Sequence, residues 1–255
     1  MRRVLAGLLA LFLLLLLLAA SAPARLLAWV LPPEQVLASG YTGSLWSGSV
    51  ARLQVATPAG PLHLGRVDWS LSPLSLLRLA PALTLDSRWG EQRLSAHLQL
   101  RGRDDLTLSR VSARVDAGLL QQLAPLQLAG TLNLQLARLV LRDGQPQALE
   151  QGRLVWESAR WNSPRGPIPL GSYVLEAVQA GDQSLRGEVL TLQGPVRAAG
   201  ELQWKDGSYS IALRLDSEGA WDPLLQESLA LLASPEGDAY RLQLSGRLAP
   251  PSPAR

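Results

Sequence analysis

Residues able to do covalent or acid–base chemistry are few in this chain, and they are scattered. Its two histidines, His63 and His97, lie far apart without clustered carboxylates around them, so they form no recognisable zinc ligand set. There is no Cys, which removes disulfides, a thiolate nucleophile and Cys-ligated metal. Asp104-Asp105 could be proposed as paired carboxylates, but it follows Arg101-Gly102-Arg103 and reads as a charged turn. Lys205 precedes Asp206-Gly207 and reads as a turn residue rather than a base. Ser47 and Ser49 lie among glycines without the G-x-S-x-G spacing of a nucleophile elbow. Gly40, Gly43 and Gly48 fit neither G-x-G-x-x-G nor a P-loop. The expectation is a protein that is not an enzyme, with no catalytic residue, no cofactor and no metal.

The charge balance narrows the class further. The 255 residues carry 24 basic and 21 acidic side chains, and Arg2, Arg3 and Arg25 account for the whole excess. The remainder is neutral and offers no footprint for a phosphate backbone, which argues against nucleic-acid binding. From Val4 to Ala22 the chain is apolar, interrupted only by Gly7 and Ser21. As a helix that run is about 28 Å long, enough to cross a bilayer. A cleaved leader is the alternative, because Ala20-Ser21-Ala22 resembles a signal-peptidase site. Pro23 just beyond that site and the length of the run favour an uncleaved anchor. Arg2 and Arg3 before the run predict a cytoplasmic N-terminus with the body across the membrane. Trp29, just past the run, fits an interfacial aromatic.

After Pro32-Pro33 the apolar period falls to two. Val67, Trp69 and Leu71 alternate with polar residues; so do Leu94, Ala96, Leu98 and Leu100, then Leu106 and Leu108, then Val111, Ala113 and Val115. The same holds at Leu132, Leu134 and Leu136, at Leu154 and Trp156, at Ile211, Leu213 and Leu215, and at Tyr240, Leu242 and Leu244. That period marks half-buried strands. Turn signals separate them, with Asp206-Gly207 the clearest hairpin turn. Two segments, Asp116–Leu123 and Asp222–Ala233, show helical spacing behind a capping Asp and are predicted as the only short helices. Trp46, Trp69, Trp156 and Trp204 fall within strand patterns and read as packing residues rather than a glycan platform.

A weak internal repeat is also visible. Gly43, Leu45, Gly65, Arg66 and Trp69 recur at a constant offset as Gly130, Leu132, Gly152, Arg153 and Trp156. The resulting layout is a membrane anchor at 1–25, a linker at 26–42, two β-rich units at 43–125 and 126–248, and a Pro-rich disordered tail at 249–255. The fold class is mostly β: a single N-terminal transmembrane helix, then a curved antiparallel β-sheet body with an internal repeat and two short helices.

Gly43-Ser44-Leu45-Trp46-Ser47-Gly48, followed by Trp69-x-Leu71-x-Pro73-x-x-Leu76-Leu77, resembles the type II secretion system protein N family. That family shows G-T-[LV]-W-x-G soon after a single anchor, then W-x-L-x-P-x-x-L-L; Ser44 here replaces Thr. The resemblance extends over nearly the whole chain. It implies a non-enzymatic inner-membrane subunit, with its body in the periplasm, of the machinery that exports folded proteins across the outer membrane. Its partners would be other membrane components of that machinery. The family offers no catalytic residue to carry over, and the motif positions read as structural, with Pro73 ending a strand. The repeated amphipathic β units also resemble the AsmA-like group, which implies an envelope lipid-handling protein with lipid as its partner. Under both readings Leu98, Leu100, Leu108, Leu134, Leu136, Leu213 and Leu215 are expected on one side of the sheet, as a face the two short helices are too small to cover.

Overall fold

The computed structural model describes residues 21–247 apart from 33, 58–59, 103–104, 123–126, 144 and 182. The apolar run up to residue 20 and the tail from 248 lie outside the described residues, and with them the predicted anchor and tail. Among the described residues no helix is long and apolar enough to cross a membrane. The chain divides into two compact units, one ending at Gly90 and one starting at Glu91.

The first unit opens with a 3-10 turn, Ala24–Leu26, that runs into α1 (Leu27–Val30). Four strands follow: β1 (Val36–Gly43), β2 (Ser47–Thr57), β3 (Gly60–Leu71) and β4 (Ala82–Trp89). Each pairs antiparallel with the next. The stretch 26–42 read as a linker thus contains α1 and most of β1. Ala24 is only 2% exposed and packs with Val50, Val67 and Trp69, while Leu27 lies against the same cluster. The Leu45 N–H donates to the Ala22 carbonyl at 2.8 Å, and Pro23 bridges to Ser44. Residues 22–27 are therefore part of the unit's core and ladder, not a tether to it.

Between β3 and β4 lies a short helix the alternation did not announce, α2 (Pro73–Leu77). This corrects two expectations. Only two helical segments were expected in the body, and Pro73 was read as a strand terminator. Strand β3 ends at Leu71, and Pro73 instead takes the first helical turn, where its missing N–H costs nothing. Five residues are too few for a helical period to stand out from an alternating background.

The second unit is a longer meander. Its strands are β5 (Gln92–Arg101), β6 (Asp105–Asp116), β7 (Leu128–Arg142), β8 (Gln145–Ser163), β9 (Gly166–Gly181), β10 (Ser184–Gln193), β11 (Val196–Lys205) and β12 (Ser208–Ser217). Each again pairs antiparallel with its successor. Then α3 (Pro223–Leu232) intervenes, and β14 (Ala239–Arg247) pairs with β12 on one side and with the three-residue β13 (Ser234–Glu236) on the other. Helix α3 is capped as its sequence indicates, the Asp222 carboxylate accepting from the Leu224 and Leu225 N–H groups. The other expected helix is a 3-10 segment, Ala117–Gln122, with Asp116 accepting from the Gly118 N–H. The Asp206-Gly207 hairpin has both turn residues at positive φ, 51° and 74°, between the paired Lys205 and Ser208. That is the backbone of a type I′ turn.

Trp69 and Trp156 hold matching places in the proposed repeat. Each indole N–H donates to a backbone carbonyl, Trp69 to Leu45 at 3.1 Å and Trp156 to Ala129 at 3.2 Å. The registers differ, since Trp69 faces Gly48 whereas Trp156 faces Leu132. At Asn133, which stands where the first copy has Trp46, the side-chain amide nitrogen is buried without a hydrogen-bond partner.

Candidate interaction surface

His63 tilts against the Trp89 ring with centroids 6.1 Å apart, and His97 Nδ1 lies 3.2 Å from the Arg110 guanidinium. Asp105 pairs with Arg142 at 3.1 Å, while Asp104 lies outside the described residues. Lys205 ends β11 beside the type I′ turn. Among the described residues no group of three or more His, Asp or Glu could hold a metal ion.

The feature that does stand out is the separation of the two faces of the second unit. Directly paired residues in a sheet point to the same side. Following the pairs from β5 to β14 gives one row: Leu94, Ala113, Leu134, Leu154, Leu175, Val189, Gly200, Leu213 and Leu242. Nine strands spaced at about 4.8 Å make this row roughly 40 Å long. The row two positions along reads Val111, Leu136, Gly152, Ala177, Gly187, Leu202, Ile211 and Leu244. The neighbouring row on the opposite side is polar: Ser95, Ser112, Gln135, Arg153, Glu176, Glu188 and Glu201. Arg153 pairs with Glu176 and Arg186 with Glu201, which eases the repulsion of three glutamates in line.

All seven leucines singled out from the sequence lie on the apolar side. Leu98 and Leu100 pair with Leu108 and Leu106, and share the side of Leu94 by parity along β5. Leu108 is nevertheless five positions from Ala113, an odd interval, and simple alternation would separate them. A register shift opposite Ala96, with Arg110 at φ 51°, inserts one extra residue and restores the side. Gln151, at φ 48°, stands between Leu149 and Leu154 on β8, which are likewise five positions apart.

This face is half-covered. Leu134, Leu136, Leu213 and Leu215 are of intermediate burial, and Leu100 is 44% exposed. On this side Trp204 and Tyr240 keep 8% and 7% exposure, while none of the leucines and valines of the long row is buried. A second packed layer would have produced fully buried leucines. On the same side Tyr173 packs beside Trp156 and donates its hydroxyl to the Val196 carbonyl at 2.9 Å. Burial pushes its phenol up to about 12. An acid whose folded pKa lies above its unfolded value near 10 stabilises the fold fully below pH 10 and loses that contribution as the pH rises towards 12. Alkaline melts should therefore show a loss of about 1–2 kcal/mol across that window, after discounting for partial exposure. Tyr173→Phe should flatten the loss, and an unchanged pH profile would contradict this role.

The motif residues form a second assembly, in the first unit. Gly43, at φ 83°, closes β1 where a Cβ would lie 2.6 Å from the Ser47 carbonyl oxygen. Leu45 donates its N–H to Ala22 and lends its carbonyl to Trp69, while the Trp46 carbonyl accepts from the Leu71 N–H at 2.7 Å. Gly48 lies under Trp69, with 2.6 Å between a built Cβ and ring atom Cζ2. Beyond Leu71, Pro73 opens α2, and Leu76 and Leu77 belong to it. These residues thus tie the end of the N-terminal segment to the start of α2.

The sequence profile of the family described as "Type II secretion system (T2SS), protein N" matches residues 34–243. The chain belongs to that family. Two curated relatives, each named type II secretion system protein N, are similar throughout. One from Aeromonas hydrophila is 29% identical over 233 residues, covering 86% of this chain and 87% of its own. One from Vibrio cholerae serotype O1 is 29% identical over 248 residues, covering 89% and 91%. No solved structure matches. The protein N motif residues are therefore placed here by their contacts in this chain: a ring of glycines, carbonyls and one indole. Sequence reading missed the row members Leu94, Leu154, Leu175, Val189 and Leu242 as surface residues. Their alternation was the available signal, but it does not separate a covered face from an open one.

Proposed function

We propose that this protein is a non-enzymatic subunit of the type II secretion apparatus, held at the inner membrane by residues 4–22 with its body in the periplasm. In this reading it supports export of folded proteins across the outer membrane by docking other membrane components of the apparatus on the open leucine face of its second unit. Family membership over residues 34–243 supports the assignment to the apparatus. The observation that carries the docking role is the roughly 40 Å apolar row, none of whose leucines or valines is buried. Soluble monomers seldom leave such a surface unoccupied.

Replacing Leu100 and Leu213 together with Glu tests this in a secreting host that lacks its own copy. Secreted enzyme in the medium is expected to fall at least tenfold (about 1.4 kcal/mol in coupling terms), while the circular-dichroism spectrum keeps its sheet signal. Normal secretion would show that the face is not used, and outright unfolding would show that it is a closed core.

A second reading, envelope lipid handling, is favoured by one property of the same row. It consists of Leu, Val and Ala with Gly, the aromatic residues of this side (Trp156, Tyr173 and Tyr240) standing in the row beside it. Lipid recovered by solvent extraction from the body purified without detergent would favour it over docking.

A further inference from the structure

Trp29, Leu37 and Trp89 of the first unit are exposed singly, whereas the segment after β3 gathers several exposed apolar side chains together. Leu74, on α2, is 69% exposed, and Leu79, just beyond it, is 85% exposed. Leu76 and Arg78 are exposed on the same short segment. Leu79 also sits at φ 52°, a left-handed position that glycine or asparagine fills without strain. Its N–H donates to the Leu76 carbonyl at 2.9 Å, and the Ala80 N–H returns to Ser75 at 3.1 Å, so the turn is held in place. A bulky apolar residue is thus kept in strained backbone and pointed outward.

The hydrogen bonds show what lies beside this segment. Ala22, the last residue of the apolar run, accepts from Leu45; the next residue, Trp46, accepts from Leu71, and α2 starts two residues later. Two strand spacings, about 10 Å, therefore separate Ala22, at the end of the apolar run, from Leu71, two residues before α2. Because residues 22–27 are built into the core, that separation is fixed rather than adjustable.

We infer that the 73–79 segment is an interfacial contact that lies in the headgroup region of the lipid bilayer entered by residues 4–22, with Leu74 and Leu79 inserted and Arg78 among the phosphates. This rests on the reading of residues 4–22 as a membrane anchor. A bilayer surface satisfies both oddities, since apolar side chains on a short helix bury into the acyl boundary while a basic residue remains at the headgroups.

The chain has no native Cys, so single cysteines can be placed cleanly. Full-length Leu74→Cys and Leu79→Cys, and Ala56→Cys as a control, would carry an environment-sensitive fluorophore in vesicles of phosphatidylethanolamine with a minority of phosphatidylglycerol. Ala56 is exposed near the far end of β2, roughly 30 Å from Ser47. Nitroxide on the lipids just below the headgroups is expected to quench the probes at 74 and 79 several-fold more than the probe at 56, with aqueous iodide showing the reverse order. Both target side chains are exposed, so neither change removes packing. Protein that resists a salt and carbonate wash but shows iodide quenching at 74 and 79 equal to that at 56 would overturn the interfacial contact alone. Shielding from both quenchers would indicate a protein contact and overturn it as well. Protein released by the wash would overturn the anchor reading, and the inference with it.

Discussion

Trp69→Ala should destabilise the first unit by about 3–5 kcal/mol, a large share of what a domain of this size has. Trp69 is 9% exposed and touches Ala24, Val50 and Val67, the residues that join the N-terminal segment to β2 and β3. Its indole N–H also satisfies the Leu45 carbonyl. Truncation leaves a cavity and an unpaired carbonyl at the loop that accepts residue 22. Trp69→Phe keeps most of the packing and loses the hydrogen bond, and should cost about 1–2 kcal/mol. Chemical denaturation followed by circular dichroism would separate the two. An alanine variant losing under about 1 kcal/mol would show that the cluster is peripheral.

Gly48→Ala should also be damaging, though it adds only one methyl group. The new Cβ would meet Trp69 at 2.6 Å, the Thr42 carbonyl at 2.7 Å and the Ser44 carbonyl at 2.8 Å. Two of these three neighbours are backbone and cannot swing aside. Overpacking of this kind costs about 1–3 kcal/mol or forces β1 and β2 apart. Shrinking the ring with Trp69→Leu should therefore fail to rescue Gly48→Ala. Gly219→Ala, with open space around the added carbon, should leave the melt unchanged. Full rescue by the smaller side chain would show that the ring, not the ladder, sets the requirement for glycine at 48.

How far the sequence could be read follows from which signals are local. Alternation in Leu94–Leu100 and in Ile211–Leu215 gives strands directly, because nothing interrupts the period there. Asp206-Gly207 and Asp222 are self-contained signals for a turn and a cap. What alternation cannot carry is phase across an irregularity. Leu108 and Ala113 share a face only because of the extra residue at Arg110, and Arg has no sequence signature for positive φ. The helix α2 was hidden by its brevity, and the place of residues 22–27 in the core was hidden because Ala24 and Leu27 extend an already apolar run. The open face was visible as leucines, but whether another layer covers a face depends on the whole chain rather than on any window of it.

Strands β6 to β11 each pair with the strand just before and the strand just after in the chain. Each hairpin thus finds its template already in place when it leaves the ribosome, with no closure to await from a distant segment. Such local order favours rapid, N-terminal-first growth of the sheet during synthesis. It also makes the hairpin a unit of change. Gain or loss of one hairpin would lengthen or shorten the apolar row by two strands, about 10 Å, while leaving every other pairing intact. The span of that face can therefore be altered by whole hairpins without redesign of the remaining sheet.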